Sequence, residues 1–136
     1  MSMVELVLVR LKKKAQLLLS KYADQVTGIF CPNESSTEGM LLTLKQMGLA
    51  GKIKFVGFDC NQAILEAIRK GEMNASATQS PFNMGYLSVT TAYKALKGEK
   101  IEKRLDTGVS LVKLSNIDQP DIQAIVNPDI SQYVKL

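Results

Sequence analysis

Histidine and tryptophan are both absent from this 136-residue chain. Without histidine the commonest general base and the commonest nitrogen ligand for a metal are gone, which argues against acid–base or metal-assisted catalysis. Cysteine is scarce. Cys31 and Cys60 stand far apart with no C-x-x-C spacing, so a zinc or thiol-redox reading is weak. Each reads as a small buried residue and a free thiol, and their sulfurs would approach only if their strands are neighbours. No stretch nears the roughly 20 apolar residues of a membrane span. The opening "MVELVLVRLKKK" puts its charges after its apolar run, the reverse of a secretory signal, so it is not expected to act as one. Phosphate loops of the G-x-G-x-x-G or G-x-x-x-x-G-K-[ST] type are missing, as is a serine elbow. Asp59 with Glu34 is one conceivable carboxylate pair for a cation, but the acidic cluster on a first strand that phospho-receiver domains need is lacking. No catalysis, cofactor or metal is therefore expected. Lysines and arginines outnumber acids 17 to 13, but apart from Lys12–Lys14 they are scattered and form no basic stripe. A nucleic-acid partner is not expected.

What is present suits one domain, and 46% hydrophobic residues suffice for a core. Ala15–Tyr22 reads as a helix, and "VELVLVR" before it has the β-branched alternation of a strand. Val26–Phe30 is a first strand. Ser35 and Glu38 have capping-box spacing ahead of a helix whose Met40, Leu41, Leu44 and Met47 share a face. Lys52–Asp59 is a second strand, followed by a helix with Ala63, Ile64, Ala67 and Ile68 on one side. Asn74–Gln79 is a short third strand ended by Pro81. Phe82–Lys97 is a long helix with Tyr86, Val89, Tyr93 and Leu96 on one face, closed by Gly98. Val109–Val112 makes a fourth strand, and Ile117–Val126 a last short helix. This alternation is the grammar of a parallel α/β sheet, a Rossmann-like three-layer lobe, with right-handed crossovers expected to place helices on both faces.

In such sheets ligands bind beyond the carboxyl ends of the strands. Three successive strands end in polar residues: Asn33 after the first, Asp59 on the second, Gln79 on the third. Two amides and a carboxylate offer several donors and acceptors without a nucleophile. That inventory suits a neutral polyhydroxyl ligand, whose hydroxyls both give and take hydrogen bonds, with charge-assisted bonds to the carboxylate. Each residue also has a purely structural use. Asn33 is placed to form a turn or cap, Asp59 to cap the following helix, and Gln79 to be solvated.

The blocks "GIFCPNESSTEGMLLTLKQMGLAGKIKFVGFD", "LEAIRKGEMNASATQSPFNMGY" and "LKGEKIEKRLDTGVSLV", with a closing "NPDI", resemble the ribose-binding-like, type I periplasmic sugar-binding proteins of bacterial ABC importers. The resemblance runs from about Ala15 to the end and covers the C-terminal portion of such proteins. It implies a non-catalytic component that binds a pentose or hexose, such as ribose, and delivers it to an ABC permease. It implies that Asn33, Asp59 and Gln79 hydrogen-bond sugar hydroxyls. It also implies a periplasmic or extracellular location, although a cytoplasmic one stays open for a chain without an export signal. Effector domains of lac-repressor-like regulators share the lobe and are the alternative. "EAIRKGEMNASATQSPFNMGY" favours the transport group.

The family is considerably longer than this chain, and residues 1–14 do not resemble what it has there. The resemblance therefore divides the chain into an atypical segment 1–14 and a sugar-binding lobe 15–136, in which helix 82–98 would belong to the opposite lobe. Half of a sugar site is implied, with weak binding, about 1 kcal/mol per hydrogen bond left facing water. Exposed strand edges and apolar faces point to a homo-oligomer, most simply a homodimer, with "VELVLVR" as one candidate for pairing across it.

Overall fold

The computed structural model describes residues 3–131. Residues 1–2 and 132–136, the outer ends of the two sequence-derived segments, lie outside the described residues. The elements are α1 (Met3–Tyr22), β1 (Gly28–Phe30), α2 (Glu34–Gln46), β2 (Lys54–Phe58), α3 (Gln62–Arg69), β3 (Ala75–Thr78), α4 (Pro81–Leu96), β4 (Ser110–Lys113) and α5 (Pro120–Val126). None of the described helices is long and apolar enough to cross a membrane.

The four strands form one mixed sheet in the order β1-β2-β3-β4. β1 runs parallel to β2, with Ile29 beside Phe55, and β2 parallel to β3, with Gly57 beside Ser76. β4 is antiparallel to β3, with Thr78 beside Ser110. The sequence grammar covers the first three strands. The fourth reverses because the chain leaves at the carboxyl end of β3, makes α4 and a return segment, and re-enters at the same end.

Strand order without reversal lets two right-handed crossovers set α2 and α3 on the same face, and the two helices touch. Helices on both faces, as expected from the sequence, are thus not what the βαβ units supply. Phe55 and Gly57 point toward α2, and Phe55 is fully buried. On the opposite face Val56 and Phe58 are half-buried and Phe30 is 61% exposed. The core beneath α2 and α3 is built from Leu44, Phe55, Ile64, Ile68 and Met73, joined by Val112 and Ile117.

"VELVLVR" is helical, not extended. Leu8, Leu11, Ala15 and Leu19 recur at helical spacing, and their burial rises along α1 until Ala15 and Leu19 are buried. α1 lies on α2 where Gly39 meets the backbone at Leu11 and Lys12. This packing overrides the β-branched propensity of the valines. The helix runs without a break across residues 14 and 15.

Candidate functional site

The capping residue of α2 is Asn33, in place of the expected Ser35–Glu38 box. Extended backbone at Asn33 (φ −157°, ψ 165°) lets its Oδ1 accept from the Ser36 amide at 2.9 Å. Its carbonyl accepts from the Ser36 hydroxyl at 3.0 Å and from Thr37 Oγ1 at 2.8 Å. Thr37 is fully buried, and the same oxygen accepts from the Phe58 amide at 3.0 Å. One hydroxyl thus fastens the turn after β1 to the end of β2. The fit requires Gly57, since a Cβ there would overlap the Thr37 side chain and the Met73 methyl.

Asp59 follows β2 in a left-handed conformation, φ 63°, the one described non-glycine residue with positive φ. Aspartate tolerates this region better than most residues. Two bonds hold it there. Its amide donates to the Ala77 carbonyl at 2.7 Å, and its carbonyl accepts from Ser76 Oγ at 2.6 Å. Ser76 is completely buried, so this anchor is rigid. Partial burial pushes the Asp59 carboxyl above its ordinary value, and the negative charge of Glu34 adds to the shift.

Asp59 does not cap α3. Asn61 does, accepting from the Ile64 amide at 3.1 Å through Oδ1. Its Nδ2 donates to Glu34 at 2.7 Å and to Glu38 at 2.6 Å. One side chain therefore joins the first turns of α2 and α3 and sets Glu34 beside Asp59. Sequence reasoning misses Asn61, although Asn three residues before an apolar helical face is a start signal. It also misses Ser76, whose alternation within "NASATQ" is its only mark.

A hollow of about 480 Å³ opens at the carboxyl rim of the sheet. Asp59 and Gln79 both line it, with Glu34, Cys60 and Thr78. Pro81, Phe82 and Met84 from α4 and Ile125, Val126 and Pro128 from the α5 region supply its apolar wall. Asn33 is not among the lining residues. It lies one position before Glu34, which is, and its Oδ1 is committed to the cap. Of the three sequence candidates, the hollow brings two together and leaves the third at its edge. Cys31 and Cys60 are free thiols. Burial raises the pKa of each, which for Cys60 outweighs hydrogen bonds from Ser76 and Thr78. A cleft with one carboxylate pair, one amide and an apolar wall can hydrogen-bond hydroxyls and pack against carbon-bound hydrogens.

A family model described as "Periplasmic binding protein domain" matches residues 10–100. The ribose import binding protein RbsB of Haemophilus influenzae is 35% identical over 96 residues, which cover 71% of this chain and 32% of that protein. The chain thus spans about a third of the length of the curated relatives it matches. An ABC transporter solute binding protein from Agrobacterium vitis, solved with bound D-fucose, superposes with a TM-score of 0.83 at 37% identity, over 88% of this chain and 41% of that one. A carbohydrate transporter solute binding protein from Agrobacterium radiobacter, in complex with D-arabinose, gives 0.81 at 30% identity, over 86% and 39%. Fold superposition and sequence match agree, and the chain belongs to the periplasmic binding protein family.

Proposed function

We propose that this chain is one lobe of a non-catalytic binding protein for a monosaccharide, a pentose or hexose such as ribose, of the kind that serves ABC import. Asp59 accepts from sugar hydroxyls, Gln79 both donates and accepts, and Asn33 offers the Nδ2 hydrogens left over by its capping bond. The observation that carries this reading is the rim hollow, where Asp59 and Gln79 meet at the ends of neighbouring parallel strands beside an apolar wall. Relatives named as ribose import proteins, and structures with D-fucose or D-arabinose bound, support a sugar over other polar ligands. In the whole protein the sugar would pass from this site to a membrane permease, outside the cytoplasm. One wall alone leaves much of a sugar in water, where each hydrogen bond gains only about 1 kcal/mol. Binding by the isolated chain is therefore weak. Self-association is part of the proposal, because apolar surface on α4 stands uncovered.

The test is an amide NMR titration with D-ribose, D-fucose and D-arabinose. Expected are fast-exchange shifts at Glu34, Asp59 and Gln79 at millimolar sugar, lost in Asp59→Asn. Shifts confined to other surfaces, or no response at several hundred millimolar of every sugar, would overturn the reading.

A further inference from the structure

Two carboxylates one turn apart on a helix repel, and Glu34 and Glu38 stand in that relation at the start of α2. Among the described residues no lysine or arginine forms an ion pair with either. What meets them is a neutral amide. Asn61 Nδ2 donates to Glu34 Oε1 at 2.7 Å and to Glu38 Oε1 at 2.6 Å, while Asn61 Oδ1 caps α3. Serine or aspartate would cap α3 as well as asparagine does. An amide is needed to cap the helix and also donate twice. Asn61 therefore does more than start α3.

Its effect falls on Glu34. The bond from Asn61 holds Oε1 and leaves Oε2 without a hydrogen-bond partner among the described residues. Glu34 and Asp59 both line the rim hollow, and no lysine or arginine is among its lining residues. A carboxylate held by an amide keeps its full negative charge, and with it the strength of a charged acceptor. The charge of Glu34 is felt at Asp59, so the two groups lie within electrostatic reach of each other. All the bonds that fix this arrangement run between the first turn of α2, its Glu38 and the cap of α3. None involves α4.

We infer that Glu34 is a second ligand acceptor beside Asp59, with Asn61 as its positioning residue. Resting on the sugar reading above, this narrows the ligand class. Each ionised carboxylate only accepts, so the ligand must bring a separate hydroxyl to each, while Gln79 can give as well as take.

Amide NMR titration of the whole chain with D-ribose, D-fucose and D-arabinose tests this on three variants. Glu34→Gln keeps the side-chain length and removes the charge. Asn61→Ser keeps a cap for α3 and removes both N–H donors. Glu66→Gln makes the same charge change on the exposed side of α3. The first two are expected to weaken binding of the sugar the native chain prefers by about fivefold, the worth of one hydrogen bond facing water. Both should also lower the Asp59 pKa in the sugar-free chain, an effect that loss of a cap alone would not produce. Glu66→Gln should change neither. Native affinity or a native Asp59 titration in Glu34→Gln would overturn the inference, as would either result in a folded Asn61→Ser, or an equal loss in Glu66→Gln. In those cases the native chain still responds to sugar at Asp59 and Gln79, and the sugar reading stands. A native chain that responds to none of the sugars is a different result, and it overturns the sugar reading together with this assignment.

Discussion

Asp59 is the residue on which the candidate site turns, and its stability contribution has a definite sign. Its folded pKa lies above the unfolded value, so the native state holds that proton more tightly than the unfolded chain does. Below the ordinary carboxyl value of 3.8 both states are protonated and nothing is lost. As pH rises through the folded pKa, the native carboxylate must form near Glu34 and out of bulk water, and stability falls. Asp59→Asn removes this loss while keeping a residue tolerant of φ 63°. The variant should therefore melt higher than the native chain at neutral pH, with the gain vanishing in acid. Thermal melts across the acid range would show it. Gly57 makes a second prediction at this scale. Gly57→Ala forces its methyl into Thr37 and Met73, and overpacking of this kind costs about 1–3 kcal/mol. Urea denaturation should show that loss, together with shifted amides at Asn33 and Phe58, the two ends that Thr37 ties.

Among the elements, the helix starts decide the site's shape. Asn61 caps α3 and donates to two carboxylates of α2. Asn61→Ala should therefore cost about 1 kcal/mol as a lost cap and somewhat more through the mutual repulsion of Glu34 and Glu38. Chemical denaturation measures the first, and a fall in the Asp59 pKa on NMR titration would register the departure of Glu34. These contacts also mark where the sequence could be read. Strands at Val26–Phe30 and Lys52–Asp59 stand out as apolar runs, Asn74–Gln79 as a short alternating stretch ended by proline, and helical faces from Met40 to Ile68 stand out by period, because local patterning and burial coincide there. α1 does not, because its valines favour extended backbone in isolation and are helical only once Ala15 and Leu19 find α2. The cap of α2 lies two residues before the expected one because Asn33, Ser35 and Ser36 all have capping chemistry. The choice falls to Thr37, whose bonds to Asn33 and Phe58 no linear spacing displays. Convergence of Asp59 with Gln79 is legible from strand ends. The part played by Glu34 is not, since it is delivered by Asn61 from another helix.

At the scale of the whole chain, the excursion from Gln79 to Val109 begins and ends on hydrogen-bonded neighbours, with Thr78 paired to Ser110 at its root. Amide hydrogen exchange should fall in steps along β3 and β4, fastest at Thr78 and Leu111 near the root and slowest at Ala75 and Val112. Uniform protection along the pair would contradict this. The same layout has a mechanical meaning. A load applied at the far end of α4 reaches the sheet through two strands tugged from one side, so their cross-links part singly, like the teeth of a zip, instead of resisting together in shear. Gln79, the first residue beyond the last tooth, would feel any such pull before the buried interior does, which places the rim of the candidate hollow where such a force first arrives.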